Sequence, residues 1–233
     1  MKLVSWNVNS VRARQDRLLQ WLRTHQPEVL CLQELKCTED KFPYAPLAEL
    51  GYHAAVYGQP TYNGVAIVSR KEPTDVVQGM CDDIEDSQAR LIAATVYGMR
   101  IICAYVPNGG DILAERYQYK LRWLERLRAY LNTQATATTP LVLCGDFNVA
   151  PEDKDVAHPE EWKDSVLCHP EVRQAYRHVC DWGLHDTLRK HSHEGGLYSW
   201  WDYRQLAFPK NNGLRIDLIL ASPPLLDACT HSE

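Results

Sequence analysis

Acidic and amide side chains follow apolar segments at five places in the chain. These are Asn7, Glu34, Tyr105 to Asn108, Asp146 to Asn148, and Asp217. A carboxylate at the mouth of an apolar core costs desolvation energy unless it is paired or bound to a metal. Hard oxygen ligands of this kind suit Mg²⁺, which keeps several waters and takes few protein carboxylates. Hydrolysis of a phosphodiester requires such a cation, an oriented water and donors for the phosphoryl oxygens, so these residues predict a hydrolytic site.

Taken singly, each of these positions has a simpler interpretation. Glu34 could be a solvated residue after its strand, and residues 146–148 could form a turn that caps the backbone. Asp217, two residues after Arg215, could belong to a surface ion pair. Their joint occurrence at strand ends favours a common site.

The positions of apolar residues predict the elements that hold these side chains. Alternation with period two indicates strands, and spacing of three and four residues indicates amphipathic helices. We predict strands over 2–9, 29–36, 53–57, 65–69, 90–96, 100–106, 141–144, 197–203 and 214–221, and helices over 16–25, 115–131 and 171–182. The four strands between 53 and 106 are expected to form an antiparallel meander. In the helix over 115–131, the basic residues are expected on the solvent face, namely Arg116, Lys120, Arg122 and Arg126.

Length and composition indicate one globular domain spanning residues 1–233. The chain is 45% apolar, enough for one large core. No stretch approaches the ~18 apolar residues of a membrane span, and the first residues turn polar too soon for a secretory signal. We therefore expect a cytoplasmic protein with no membrane partner.

Cysteine usage points to the same compartment. Three of the eight cysteines, Cys31, Cys103 and Cys144, lie in apolar strand-like runs, where a thiol behaves as a small hydrophobe. Reduced thiols are expected. Without a Cys-x-x-Cys pair the spacing does not favour a structural zinc site. The formal charge of −5 argues against a general polyelectrolyte binder and, alone, favours a small-molecule enzyme, although a local basic face would still fit DNA.

Six motifs together resemble a known family. They are Ser-Trp-Asn-Val-Asn at 5–9, Leu-Gln-Glu-Leu-Lys at 32–36, Tyr-Val-Pro-Asn at 105–108, Gly-Asp-Phe-Asn at 145–148, Trp-Trp-Asp-Tyr-Arg at 200–204 and Leu-Arg-Ile-Asp at 214–217. In this order they resemble the endonuclease/exonuclease/phosphatase family, and most closely its exodeoxyribonuclease III and abasic-site endonuclease branch. The resemblance implies an α/β fold, a four-layered α/β sandwich of two mixed β-sheets packed face to face and flanked by helices. The implied function is a DNA-repair nuclease that hydrolyses the phosphodiester 5′ to abasic sites and trims 3′ ends.

The same resemblance implies roles for individual residues. Glu34, with Asn7 and Asn9 nearby, would bind Mg²⁺ or Mn²⁺. Asp146 would activate water, Asn148 would hold a phosphoryl oxygen, and Tyr105 would donate its phenol to the phosphate or help position the nucleophile. The other implied catalytic residues are Asp217 and Asp155, the latter assisting departure of the leaving group; the implied DNA contacts are Lys36, Arg90 and Asn108.

Trp200 and Leu214 would line a small apolar pocket for the base-free sugar of an abasic site, which flips out readily because no base must be unstacked. Since neighbours on a strand point to opposite faces, we expect one of Trp200 and Trp201 to be core. The expected partner is duplex DNA with abasic sites or 3′ ends, bound by a monomer.

The end of the chain departs from the family pattern. Members of the family continue into a Ser-Asp-His segment on a final core strand, whereas this chain stops at Thr230-His231-Ser232-Glu233. We expect a domain lacking that strand to be nearly inactive as written, with a rate of hydrolysis lower by ~10³-fold or more. We expect the activity to return when the segment is restored.

Two other functions remain open from the sequence. The same fold can host a phosphatase or phosphodiesterase of small phosphorylated molecules. A catalytically dead module that binds damaged DNA would show binding without product. Hydrolysis of an abasic duplex, compared with inositol phosphates, distinguishes these possibilities.

Overall fold

The computed structural model describes residues 1–136 and 138–233. Tertiary contacts divide the chain into two compact units. The first comprises Met1–Tyr105 and Thr139–Asp146, and the second comprises Val106–Thr138 and Phe147–Glu233. Each unit has its own strands, helices and buried apolar residues.

The first unit is built mainly from strands. Its elements are β1 (Leu3–Asn7), α1 (Gln15–His25), β2 (Val29–Gln33), α2 (Tyr44–Glu49), β3 (His53–Tyr57), β4 (Val65–Ser69), β5 (Thr74–Gln78), β6 (Leu91–Val96), β7 (Met99–Tyr105) and β8 (Leu141–Asp146), with a 3-10 turn at Glu39–Lys41. One sheet has the order β1-β2-β4-β3. Strands β1 and β2 are parallel, whereas the pairs β2–β4 and β3–β4 are antiparallel. In the other, β5, β6, β7 and β8 are successive neighbours, and β7 and β8 run parallel. Both sheets are therefore mixed.

The core of the first unit lies between the two sheets and between helix α1 and the first sheet. Strands β2 and β4 contact strands β6 to β8 of the other sheet, and every residue of β2 and β4 is buried. Strands covered on both faces are apolar throughout, which explains their continuous Val, Leu and Ile content. Helix α1 packs Leu18 and Leu22 into one cluster with Leu30 and Leu32 of β2. Each such leucine contributes roughly 1.5–3 kcal/mol through burial.

The predicted antiparallel meander over residues 53–106 was wrong. Strands β3 and β4 pair in one sheet, whereas β6 and β7 pair in the other, so the chain changes sheets after β4. Strand β5, which the sequence pattern missed, begins the second sheet at its edge and is mostly exposed. Periodicity identifies strands but not their partners, because every half-buried strand shows the same alternation.

The second unit contains the long helix. Its elements are α3 (Glu115–Gln134), α4 (Pro159–Trp162), α5 (Pro170–Cys180), β9 (His185–Asp186), α6 (Thr187–His191), β10 (Trp200–Trp201), β11 (Gly213–Leu214), β12 (Asp217–Ala221) and α7 (Pro223–Ala228), with a 3-10 turn at Asp153–Asp155. Helices α3 and α5 pack on each other. Strands β9 and β12 pair antiparallel, as do β10 and β11. In the described residues of both units, no helix has the length and apolar character needed to cross a bilayer.

The two strands predicted over 197–203 and 214–221 are shorter than expected. The backbone N–H groups of Ile216 and Asp217 both donate to the Ser199 hydroxyl at 3.0 Å, and that of Arg215 donates to the Asp155 carbonyl at 2.9 Å. These bonds satisfy the backbone outside a strand ladder, so β11 and β12 are separated at Arg215 and Ile216.

The prediction that Lys120 lies on the solvent face of the long helix was also wrong. Its side chain is fully buried, beside the apolar stripe that includes Tyr117, Trp123 and Leu124. Helical spacing alone placed Lys120 near the boundary of that stripe, and the hydrophilicity of lysine favoured the exposed alternative. Its ammonium is instead hydrogen-bonded to backbone carbonyl groups.

Candidate active site

Four strand ends meet at one edge of the first unit. Because β1 and β2 are parallel, Asn7 pairs with Gln33, directly before Glu34. Because β7 and β8 are parallel, Tyr105 pairs with Asp146. Parallel strands end at the same edge, so the polar residues that follow apolar runs in the sequence lie side by side.

Gly145 permits the close approach of β7 and β8 just before the site. A Cβ added to this residue would lie 1.8 Å from the Ala104 carbonyl oxygen, and the backbone angle φ is +147°. Both facts exclude other residues at this position without backbone movement. Gly145 therefore fixes the neighbouring pair Tyr105 and Asp146.

Asn7 joins the two carboxylates of the site. Its Nδ2 donates to Glu34 Oε1 at 2.8 Å and to Asp146 Oδ2 at 2.9 Å. The backbone N–H of Asn9 donates to Asn7 Oδ1 at 3.0 Å, and since that group is only a donor, it sets the orientation of the amide. In this orientation Asn7 bridges the two carboxylates, and its place beside a metal stays a prediction.

Tyr105 lies against Glu34 and Arg90. Its hydroxyl donates to Glu34 Oε1 at 3.0 Å. Burial, followed by the nearby charges of Glu34 and Asp146, raises the pKa of Tyr105 well above its usual value. The phenol therefore stays protonated at neutral pH and is available as a donor. Arg90 lies 4.6 Å over the tyrosine ring and donates to the Tyr105 carbonyl at 3.2 Å, which fixes the ring from the other side.

Lys36 places a positive charge between two oxygens of the site. Its ammonium lies 2.9 Å from Glu34 Oε2 and donates to Asn9 Oδ1 at 2.7 Å. Burial alone would raise the pKa of Glu34, but hydrogen bonds from Asn7 and Lys36 and the charge of Lys36 outweigh it, and the pKa is lowered. Glu34 is thus ionised at neutral pH, and its carboxylate and the Asn9 oxygen converge on a cation.

The backbone around these residues is conformationally unusual. Asn9, Glu34 and Lys36 have φ values of 42°, 56° and 53°, in the left-handed region. Residues other than glycine enter this region at a cost of about 1–3 kcal/mol, and residues in such conformations cluster at functional sites. Two of these residues, Glu34 and Asn9, direct their side-chain oxygens at the Lys36 ammonium.

An open groove of about 490 Å³ adjoins this cluster within the first unit. It is lined by Glu34, Lys36, Gln59, Tyr62, Asn63, Gln88, Arg90 and Tyr105. Sequence reasoning missed Gln59, Tyr62, Asn63 and Gln88, which occur in loops without periodic pattern. Gln59 Oε1 accepts from Asn63 Nδ2 at 2.9 Å and from the Ala89 N–H at 2.7 Å, so this wall of the groove is braced.

In the second unit, the structure brings Asn108 and Asn148 together. Asn108 Nδ2 donates to Asn148 Oδ1 at 2.9 Å, and Asn148 Nδ2 donates to the Val106 carbonyl at 3.0 Å. Asn148 is nearly buried and adopts a φ of 49°. These contacts hold two predicted phosphate-binding residues in one orientation.

Asp155, for which the sequence predicts a role in leaving-group departure, lies in a buried ion-pair network of the second unit. Asp155 is fully buried, and its Oδ1 accepts from Arg215 Nε at 2.7 Å and from Arg189 Nη2. Although burial raises its pKa, the hydrogen bonds and charges of the two arginines outweigh it and lower the pKa. The two arginines thus anchor this carboxylate within the second unit, and its role in departure of the leaving group stays a prediction.

Trp200 and Leu214, the predicted walls of the sugar pocket, lie opposite each other on β10 and β11. Leu214 is fully buried and Trp200 is partly exposed, with its ring 6.1 Å from that of Trp162 in an edge-on arrangement. The expectation that Trp200 or Trp201 belongs to the core was wrong, because both are partly exposed. Strand β10 has only two residues, so alternation does not bury either side. Asp217 begins β12 and is partly exposed.

The site offers oxygen ligands to a cation from amide and carboxylate side chains. In residues 1–136 and 138–233, no group of three His, Cys, Asp or Glu side chains is arranged to hold a metal. Glu34 and Asn9 nevertheless direct two hard oxygens at the Lys36 ammonium, which takes the place of a cation. Mg²⁺ needs only one or two carboxylates and keeps water as its other ligands, so this donor set fits it.

Comparisons with known proteins identify the family of the chain. The model of the endonuclease/exonuclease/phosphatase family matches residues 4–232. Exodeoxyribonuclease III of Haemophilus influenzae is 36% identical over 241 residues, covering 98% of this chain and 90% of that protein. An AP endonuclease from Archaeoglobus fulgidus has a TM-score of 0.92 at 43% identity, covering 97% of this chain and 87% of its own. A 3′ phosphatase from Neisseria, solved with a product DNA hairpin, has a TM-score of 0.94 at 42% identity, covering 97% and 88%.

These similarities confirm the predicted α/β fold, in which helices flank two mixed sheets. Members of the family are metal-dependent nucleases. The site described above supplies the acidic and amide groups that such hydrolysis requires. The chain belongs to the endonuclease/exonuclease/phosphatase family and is a DNA-repair nuclease, a phosphodiester hydrolase.

Proposed function

We propose that this chain hydrolyses the phosphodiester 5′ to abasic sites in duplex DNA and removes nucleotides from 3′ ends, using a divalent cation. The observation that carries the proposal is the pair of carboxylates, Glu34 and Asp146, joined by the Asn7 amide beside a protonated Tyr105. The names of the relatives, an exodeoxyribonuclease and an AP endonuclease, support this substrate.

Asp146 acts as the general base in this proposal. Its carboxylate accepts the proton of an attacking water. The Asn7 amide donates to Asp146 Oδ2 and so orients this carboxylate. Asn148 binds a phosphoryl oxygen through its side-chain amide, while Tyr105 and Lys36 direct donors at the phosphate. Asn108 and Arg90 are the proposed contacts to the DNA backbone, and Asp217 is a further candidate catalytic carboxylate.

Glu34 and Asn9 are the proposed metal ligands, with Asn7 orienting the Glu34 carboxylate. A bound Mg²⁺ or Mn²⁺ would act as a Lewis acid on the phosphoryl oxygens. The ionised state of Glu34 suits this role, because its pKa is lowered.

Trp200 and Leu214 are the proposed walls of a pocket for the base-free sugar. A pocket of this kind favours an abasic deoxyribose because that sugar leaves the duplex without unstacking a base. A normal nucleotide carries a base that such a pocket has no room for, so the pocket excludes it sterically.

The test is a nicking assay at enzyme concentrations high enough to follow a slow reaction. With Mg²⁺ or Mn²⁺ we expect one break 5′ to the abasic site, leaving a 3′-hydroxyl, and no break in an intact duplex under the same conditions. Strand breakage that persists in excess chelator would overturn the proposal. So would hydrolysis of inositol phosphates in preference to the abasic duplex.

A separate prediction concerns Glu34→Gln. We expect at least ~10-fold weaker Mn²⁺ binding, because the neutral amide removes the charge of a carboxylate that faces the cation position. Thermal stability should change little, since Glu34 lies at a rim and its charge is balanced by Lys36. Mn²⁺ titration followed by electron paramagnetic resonance measures the affinity directly.

The matched control is Glu49→Gln, which removes an exposed carboxylate from α2 of the same unit. It should leave Mn²⁺ affinity at the parental value. Equal affinities for the parent and Glu34→Gln would remove Glu34 from the list of metal ligands.

A further inference from the structure

A lysine is fully buried in the second unit. Lys120 lies on α3 with no exposed surface. Its Nζ donates to the backbone carbonyls of Asn148 at 2.6 Å, Val166 at 2.7 Å and Asn108 at 3.1 Å. An ammonium has three N–H donors, and these three carbonyls can engage all of them.

Burying this charge costs free energy. Desolvation of an ammonium is expensive even when hydrogen bonds replace its water, and an apolar side chain of similar volume is often equally or more stabilising at such a position. The contacts made by Lys120 therefore suggest a role other than stability.

Two of the three carbonyls belong to proposed phosphate-binding residues. Asn108 and Asn148 also bond to each other through their side chains, from Asn108 Nδ2 to Asn148 Oδ1 at 2.9 Å. The ammonium thus joins their backbones while the amides join their side chains. Asn148 adopts a left-handed backbone conformation, which asparagine enters more readily than most residues, and these contacts hold its side chain in one orientation.

The aliphatic part of Lys120 is accommodated by a glycine. A Cβ added to Gly109 would lie 3.2 Å from Lys120 Cδ, and Gly109 has a φ of +97°. The residue that follows Asn108 therefore leaves room for the lysine to reach the carbonyls beyond it.

We propose that Lys120 is a positioning residue that holds the amides of Asn148 and Asn108 in the orientation needed to bind a phosphoryl oxygen. This inference rests on the proposed function of the two asparagines. In this proposal the charge of Lys120 acts through the backbone carbonyls of the two asparagines.

The test compares Lys120→Met with Leu124→Ala. The methionine keeps the approximate length of the side chain and removes all three donors, while Leu124 is equally buried on the same helix and has a side chain that cannot form hydrogen bonds. We expect Lys120→Met to lower kcat by ~10²-fold with KM within about threefold, as for a small misplacement of a catalytic group. Leu124→Ala should destabilise the fold yet keep kcat within about twofold at temperatures below unfolding.

A combined variant shows whether Lys120 acts through the two asparagines. If it does, adding Lys120→Met to a protein that carries Asn108→Ala and Asn148→Ala should lower kcat by less than about threefold more, because both positioned groups are already gone. A further ~10²-fold loss in this combined variant, or an equal kcat loss in Leu124→Ala, would overturn the proposal. Should Lys120→Met fail to fold, Lys120→Gln retains two donors and is tested in its place.

A second readout does not depend on the reaction. The side-chain amide resonances of Asn108 and Asn148, followed by ¹⁵N-edited NMR, should shift or broaden in Lys120→Met and stay in place in Leu124→Ala. Unmoved resonances in Lys120→Met would overturn the inference even if the chain is an active nuclease. Shifted resonances in a chain that lacks metal-dependent nicking would support the positioning role while rejecting the proposed function.

Discussion

Asp146→Asn should lower kcat on an abasic duplex by ~10² or more, the usual scale for loss of a general base. The substitution keeps the size and shape of the side chain and removes its ability to accept a proton. The remaining carbonyl oxygen can still accept the Asn7 amide, now 2.9 Å from Asp146 Oδ2, so the strand ends should keep their arrangement. KM, DNA affinity measured by fluorescence anisotropy, and Mn²⁺ affinity should stay within about threefold of the parental values. Asp146 is proposed neither as a contact to DNA nor as a ligand of the metal.

The control for this variant is Asp83→Asn, which removes the same charge from an exposed position outside the site. It should retain parental kcat. An Asp146→Asn protein that lost only thermal stability, or only DNA affinity, would show that Asp146 is a structural or binding residue. In that case the role of base would have to move to another group.

The strand-end site was predictable from sequence because it depends on local pattern. Apolar runs identified β1, β2, β7 and β8 within two or three residues, and the polar residue after each run was then a candidate. That Asn7 bridges Glu34 and Asp146 was not predictable. The bridge depends on the register of strands far apart in the chain, and periodicity carries no register.

Residues that gain their role from burial were predicted less well. Lys120 was expected on the surface and Asp155 in the site, whereas the structure buries both. Hydrophilic residues are buried only when specific partners satisfy them, and those partners come from distant segments. For Lys120 they are backbone carbonyls, which are present at every position and leave no signal in the sequence.

The partners of Asp155 did leave a signal, but an ambiguous one. Arg215 belongs to the Leu-Arg-Ile-Asp motif, and its proximity in sequence to Asp217 suggested a local ion pair. The structure instead directs Arg215 Nε at Asp155, 60 residues away, and its Nη2 at Asp186 Oδ2 at 2.7 Å. The motif thus combines a candidate catalytic carboxylate with an anchoring arginine in three residues.

Arg215→Met should destabilise the protein by roughly 3–5 kcal/mol at pH 7, because it leaves a buried carboxylate without its main partner. Arg215 and Asp155 are both buried, and their contact is 2.7 Å. The comparison is Arg122→Met, which breaks a contact of the same 2.7 Å length with Glu115 on the exposed surface of α3. Exposed pairs contribute little, so urea unfolding should show a large loss for Arg215→Met and a small one for Arg122→Met. Equal losses would mean that burial of the pair does not matter.

The same network predicts a defined dependence of stability on pH. The two arginines lower the pKa of Asp155, so its contribution to stability is complete above the ordinary carboxyl pKa near 4 and is lost as pH falls through the lower native value. Asp155→Asn removes this titration. The difference in free energy of unfolding between the parent and Asp155→Asn should therefore be constant from about pH 7 to 5 and shrink progressively below about pH 4. Urea unfolding of both proteins at each pH measures it. A difference that stayed constant down to pH 3 would show that the Asp155 carboxylate does not carry the stabilising charge, and a difference that shrank already near pH 6 would assign the effect to a histidine instead.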